Sequence, residues 1–248
     1  LHFASGFPTP RRVTMRQPIS GSSVRPPMRI RVIPVASDLG APRPGAGLGP
    51  QALRLAGLER ALAATGDVTW ARALHPPAAP DGVDALARLG ARLARTVRAA
   101  GRRGEVPLVL GGDHSIAVGT WSGVAAWRCD AGPIGLVWID AHMDAHTERT
   151  TQSGNLHGMP LAALLGHGDP RLAGIGDARP KLRPEFVCIV GARSWEAEEA
   201  EFLARLGVRV FTSADVRARG IDAVIVDAIA IASRAPGGFG VTFDVDAL

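Results

Sequence analysis

The sequence predicts an α/β fold in three layers, α/β/α, around a mostly parallel central sheet. Three observations predict it. Short apolar runs of strand length recur along the chain, separated by stretches with helical periodicity, and such alternation builds parallel β-α-β units covered on both faces. The runs are continuously apolar, as strands buried on both faces require. Three of them stop at Asp or His residues, and open α/β sheets gather their ligands at the carboxyl ends of strands.

Taken in order, residues 1–27 are rich in Pro, Ser and Arg, contain no acid and lack sustained periodicity, so they are expected to be a disordered or non-native arm. An acid-free leader bearing Arg and Ser also suits an organelle transit peptide, although its prolines oppose an amphipathic helix. A start at Leu1 is equally compatible with a fragment or a mis-set start. The first strand is predicted over 28–36, followed by a loop rich in glycine and proline. A helix fits 50–64, with Pro50 in the first turn, where its missing N–H does no harm. Val83, Leu86, Leu89, Leu93 and Val97 fall at helical spacing and make 82–100 an amphipathic helix. A buried strand over 106–110 runs into Gly111-Gly112-Asp113-His114-Ser115, with a helix over 116–127 behind it. The next buried strand covers 134–139. A short helix over 157–165, a strand over 186–190, a helix over 194–206, a strand over 208–211, a helix over 220–233 and a strand over 239–243 complete the pattern. No period of 20 to 50 residues marks a solenoid.

With 248 residues, 46% hydrophobic and 21% charged, the chain is long enough for one large domain or two small ones with a substantial core. Its net charge of +5 comes from arginine, Lys181 being the lone lysine, and the arginines are scattered. No nucleic-acid partner is expected from that distribution. Cys129 and Cys188 form no disulfide-dense pattern, which points to a reducing cytoplasm. No apolar run reaches the roughly 18 residues of a membrane span, and the start of the chain lacks a secretory apolar core. No membrane partner is expected.

The chemistry gathers at three strand ends. The first carries His114, the second Asp140, His142 and Asp144, the third Asp244 and Asp246. Alternating residues of an extended chain point the same way, so Asp-x-His-x-Asp and Asp-x-Asp each aim their side chains into one space. Two imidazoles and four carboxylates suit hard or borderline divalent ions, manganese above zinc. The donors exceed what one ion in an open site needs, so two ions sharing carboxylates are expected, with an acidified water between them. Gly-Gly-Asp-His-Ser alone reads equally well as a helix-capping turn, and Asp-x-Asp after a strand is common. Asp140-Ala-His142-x-Asp144 after a buried strand is more specific, because crowding those groups without a cation is costly.

These three motifs, in this order from about residue 28 onward, resemble the ureohydrolase family of arginases, agmatinases and related amidinohydrolases. The resemblance implies that His114, Asp140, Asp144 and Asp244 hold one Mn(II) ion. Asp140, His142, Asp244 and Asp246 would hold a second, with Asp140 and Asp244 bridging. The segment Thr151-Gln152-Ser153-Gly154-Asn155-Leu156-His157-Gly158 is arginase-like in particular. It implies that Thr151, Ser153 and Asn155 lie on the loop receiving a substrate α-carboxylate, with His157 as the proton shuttle to the leaving amine. The implied reaction is hydrolysis of L-arginine to L-ornithine and urea, catalysed by a cytoplasmic homo-oligomer, trimer or hexamer.

The sequence also departs from the family pattern. His146 stands where many arginases place an asparagine that contacts the α-carboxylate. Glu196 takes the place of an aspartate offered to the α-amino group, and Ser194 replaces a nearby acid. Glu196 and Glu199 suit an ammonium, or equally a solvated helix face. These changes leave another guanidino substrate open, of the agmatinase or guanidinobutyrase type. The chain stops at Leu248, whereas the family continues with a further strand and helix and a glutamate for the guanidinium. That strand lies in the family's sheet between the strands leading to His114 and to Asp244. Residues 28–248 are therefore expected to be an incomplete arginase-like catalytic domain, lacking the family's last strand and helix and leaving strand edges unpaired. An inactive metal-binding fragment is the competing reading.

Overall fold

The structure, a computed structural model, describes residues 2–5 and 28–248. One sheet contains β1 (His2–Ser5), β2 (Met28–Pro34), β3 (Gly66–Trp70), β4 (Val106–Leu110), β5 (Ile134–Ile139), β6 (Leu182–Ala192), β7 (Arg209–Thr212) and β8 (Phe239–Phe243). Their spatial order is β3-β2-β4-β1-β8-β5-β6-β7. All strand pairings are parallel except those of β1, which runs antiparallel to both β4 and β8. The helices are α1 (Gly49–Leu55), α2 (Leu58–Ala63), α3 (Gly82–Arg102), α4 (Ala117–Arg128), α5 (Pro160–Leu164), α6 (Pro170–Ala173), α7 (Ala197–Leu206), α8 (Ser213–Arg219) and α9 (Ile221–Ala232).

The two-residue period of the strands divides their side chains between two apolar layers. On one face Val109, Leu136, Trp138 and Ile189 pack with Leu89 and Leu93 of α3, Trp121 of α4 and Leu203 of α7. On the other, Val137, Cys188 and Val190 meet Val224, Ala228 and Ala232 of α9. Leu108 and Leu110 on that second face pack with Val32 of β2, and Leu53 of α1 and Leu58 and Leu62 of α2 lie against them. These contacts make the three layers. α3 and α4 approach closely because glycines line their contact: a Cβ on Gly119 would lie 2.7 Å from the Gly90 Cα.

Local signals explain most element ends. Asp81 caps α3 by accepting the N–H of Asp84. α7 and α8 each begin with a capping box, Glu196 with Glu199 and Thr212 with Asp215. The helix expected over 50–64 divides into α1 and α2 at Gly57, whose φ of 96° no helix accommodates. The helix expected over 157–165 is a 3-10 turn, Leu156–Gly158, followed by α5, with Pro160 at its start. β6 is longer than the 186–190 expected for it. β3, α6 and α8 are additions to the sequence reading. β3 is an edge strand of alternating half-buried and exposed residues with little apolar signal.

Most of the arm expected over 1–27 lies outside the described residues, but His2–Ser5 form a strand rather than disordered chain. β1 fills the slot between β4 and β8, so the unpaired edges expected there are not observed. Without it the sheet would fall into two parts, β3-β2-β4 and β8-β5-β6-β7. Among the described residues, no helix is long and apolar enough to cross a membrane.

Overpacking tests the α3–α4 contact. Gly119→Ala is expected to destabilise the protein by about 1–3 kcal/mol, because the Gly90 backbone offers no side chain that could give way. A urea midpoint unchanged from wild type would contradict the close approach.

Candidate metal centre

β4, β5 and β8 run in the same direction, so the residues that follow them meet at one edge of the sheet. His114 opens a 3-10 turn capped by Asp113, whose side chain accepts the Ser115 N–H. His114 Nδ1 lies 2.8 Å from Asp140 Oδ2, 2.9 Å from Asp144 Oδ2 and 3.3 Å from Asp244 Oδ2. His142 Nδ1 lies 3.1 Å from Asp246 Oδ2 and 3.4 Å from Asp140 Oδ1. Asp140, only 1% exposed, therefore turns one oxygen to each imidazole. It also accepts from Trp138 Nε1–H at 3.0 Å and from the His142 N–H at 2.8 Å. Thr242 Oγ1 sits 3.0 Å from His114 Nε2, and Asp246 Oδ1 accepts the Ala141 N–H at 3.2 Å.

The charges follow from this crowding. Burial would lower the His114 pKa, but Asp140 and Asp144 raise it to about 10. Asp140 and Asp246 raise His142 to about 10 against its partial burial. Burial, together with the Asp140 charge, pushes Asp144 up to about 7. Burial acts to raise Asp140 too, yet His114 and His142 hold it well below the usual carboxylate range.

Three carboxylate oxygens crowd a single nitrogen of His114, which carries at most one proton, and Asp144 Oδ2 accepts no hydrogen bond of good geometry. Such a donor set fits cations. His114, Asp140 and Asp244 form one group able to hold a metal ion, and Asp140, His142 and Asp246 a second, with Asp140 common to both. Asp144 is the one non-glycine residue with positive φ (50°) among the described residues, a strained conformation of the kind that collects at functional sites.

Beyond Asp144 the chain forms a loop closed by the His146 N–H donating to the Gly158 carbonyl at 3.0 Å. His146 Nε2 lies 2.9 Å from Glu196 Oε2 and 3.3 Å from Glu199 Oε2, and its Nδ1 is 3.1 Å from Thr150 Oγ1. Glu199 is buried, which raises its pKa, and its Oε1 accepts the Ala145 N–H. It does not lie on a solvated helix face. Thr151 Oγ1 accepts the Gly154 N–H and Ser153 Oγ the Asn155 N–H, bonds that shape the loop itself. The His157 N–H donates to the Gly40 carbonyl, and the Gly40 N–H donates to Asp113 beside His114.

The structure thus brings all six expected metal ligands to one edge and joins His146 to Glu196 and Glu199. Trp138, Thr242 and Thr150 have no site role in the sequence reading, and Asp113 enters it only through the helix-capping turn that the structure shows. Trp138 and Thr242 each stand two residues before a ligand aspartate, on the same side of the strand, a spacing that could have found them. A cavity of about 460 Å³ lined by Cys129, Pro133, Asp177, Arg179, Lys181 and Arg183 lies at the opposite end of β5, near Ile134, away from these groups.

A three-layer α/β sheet whose carboxyl edge carries two His/Asp groups sharing one carboxylate has the donors of a binuclear metal site. The arginase family profile matches residues 28–248. The arginase of Bacillus caldovelox is 39% identical over 230 residues, covering 88% of this chain and 76% of its own. That of Brevibacillus brevis is 38% identical over 226 residues, covering 88% and 75%. The crystal structure of Bacillus subtilis strain 168 arginase superposes with a TM-score of 0.81 at 35% identity, over 88% of this chain and 74% of that one. The chain belongs to the arginase family, and it spans about three quarters of the length of these relatives.

Protonation gives the metal-free protein a defined pH response. His114 and His142, raised from 6.5 to about 10, contribute stability that is complete below about pH 6.5 and lost as pH climbs toward 10. Asp144, raised from 3.8 to about 7, keeps its proton in the folded state after the unfolded chain has released it, so its contribution declines between those values. The melting temperature of the metal-free protein is expected to fall from pH 7 to pH 10. Saturating Mn(II) should reverse the trend, because ligation needs neutral imidazoles and ionised carboxylates. Parallel pH profiles with and without Mn(II) would count against this assignment.

Proposed function

We propose that the chain is a manganese-dependent amidinohydrolase that converts L-arginine and water to L-ornithine and urea. The observation that carries this reading is the pair of donor groups meeting at Asp140, in a chain of the arginase family. One Mn(II) would be held by His114, Asp140, Asp144 and Asp244, the other by Asp140, His142, Asp244 and Asp246. The oxygen-rich set favours manganese over zinc. Bound there, the ions supply Lewis acidity and an activated water for attack on a guanidinium carbon.

The chain's own residues orient the substrate and move its protons. Trp138, His142 N–H and His114 fix the Asp140 carboxylate, so that its two oxygens face different imidazoles. Thr151, Ser153 and Asn155 offer hydroxyl and amide donors to an α-carboxylate. His157, its backbone anchored through Gly40 to the segment bearing His114, donates a proton from its imidazole to the departing amine nitrogen. Glu196 would meet an α-ammonium, with the buried Glu199 behind it, and His146 Nε2 already lies against both. That occupancy favours a second reading, a guanidino substrate without an α-ammonium such as 4-guanidinobutyrate. We place the enzyme in the cytoplasm as a homo-oligomer, trimer or hexamer, with no nucleic-acid or membrane partner.

Urea release by the manganese-loaded protein from L-arginine, agmatine and 4-guanidinobutyrate separates these readings. L-Arginine is expected to be the preferred substrate. Turnover of 4-guanidinobutyrate alone would replace it, and manganese binding without any urea would leave a metal-binding protein. His157→Ala should lower kcat by about 10²- to 10⁴-fold at unchanged manganese content. Asp140→Asn should lose both ions.

A further inference from the structure

Glu199 is a carboxylate on α7, 4% exposed; it stands outside the two donor groups that meet at Asp140 and belongs, with His146 and Glu196, to a third group of possible donors. Both of its oxygens are committed. Oε1 accepts the Ala145 N–H at 3.0 Å, while Oε2 accepts the Glu196 N–H at 3.2 Å and lies 3.3 Å from His146 Nε2. The Ala145 N–H belongs to the peptide plane that follows Asp144. The carbonyl of that same plane accepts the Leu161 N–H at 2.9 Å. The plane is therefore gripped at both ends, by α7 through a side chain and by α5 through its backbone.

That plane sets the ψ angle of Asp144, the residue held at a φ of 50°. An aspartate persists in the left-handed region only where its surroundings over-determine it. Released at the Ala145 N–H, the plane keeps only its bond to the Leu161 N–H, and a backbone able to leave the left-handed region would carry the Asp144 carboxylate away from His114 Nδ1, now 2.9 Å from it. Burying a carboxylate is costly unless its acceptors are used. Glu199 uses them to join the start of α7 to the segment that follows β5.

We propose that Glu199 is a positioning residue of the metal centre: by holding the Asp144–Ala145 peptide plane it keeps Asp144 in the left-handed conformation that aims its carboxylate at His114. The proposal rests on the reading of Asp144 as a cation ligand. It adds a role to a carboxylate that belongs to neither of the two donor groups meeting at Asp140.

Titrating the metal-free protein with Mn(II), with the free ion followed by electron paramagnetic resonance, reads the number and affinity of bound ions without recourse to turnover. Glu199→Ala removes the acceptor and is expected to weaken the Asp144-bearing site by about 10- to 100-fold, as the loss of partners behind metal ligands does. The second ion should bind nearly as in wild type. Glu199→Gln keeps an oxygen for the Ala145 N–H and should restore most of the affinity. Glu196→Ala opens the capping box from its other side and leaves the Ala145 bond intact. A loss there equal to that of Glu199→Ala would show that the helix start is what matters, and would overturn the proposal. Should Glu199→Ala fail to fold, Glu199→Met fills a similar volume without an acceptor and is expected to show the same loss. Asp144→Asn tests the underlying reading, since asparagine tolerates positive φ and only the charge is lost. Two ions bound by Asp144→Asn would refute Asp144 as a ligand. One ion lost there, with wild-type binding in Glu199→Ala or Glu199→Met, would refute the positioning role alone.

Discussion

Asp140 ends a buried strand with one oxygen turned toward each of two imidazoles, and a charge so placed is costly unless the fold supplies partners on every side. Its partners are Trp138 and the His142 N–H on its own segment and His114 after β4, while Asp244 and Asp246 after β8 face the same two imidazoles from a third side. The sheet must therefore hold three strand ends level at one edge. The crossovers that cover its two faces, and the glycine contact that lets α3 and α4 lie close together, serve that alignment.

Much of the fold was legible in the sequence because buried parallel strands announce themselves as apolar runs. The strands at 106–110, 134–139 and 239–243 coincide with β4, β5 and β8. What escaped had weak or competing signals. β3 alternates at a sheet edge and carries few apolar residues, and α8 rests on a capping box too short to show a helical period. Gly57 divides a stretch whose composition favours one continuous helix. His2–Ser5 have no strand signature beyond a few apolar residues, and they are placed by the slot open to them between β4 and β8.

The grouping of the candidate ligands was legible for a different reason: alternate positions on an extended chain share a direction, so spacing alone brings together Asp140, His142 and Asp144, and likewise Asp244 and Asp246. Contacts between distant segments carry no such spacing. The seating of His146 against Glu196 and Glu199 joins the loop after β5 to the start of α7, and only the packed structure brings them together. The left-handed backbone of Asp144 was likewise hidden, because aspartate is ordinarily unremarkable in sequence and its conformation is imposed from outside.

The place of β1 has a kinetic meaning. The half-sheets β3-β2-β4 and β8-β5-β6-β7 each draw their strands from one half of the chain, whereas β1 must bring the first described strand against the last. Closing so long a loop carries an entropy cost that grows with its length, and contacts of that range form late in folding. His114 rides on one half-sheet, and Asp140 and Asp244 on the other. During synthesis the chain would thus carry His114 on one folded part and Asp140, His142 and Asp144 on another, and their meeting would await the emergence of β8 from the ribosome.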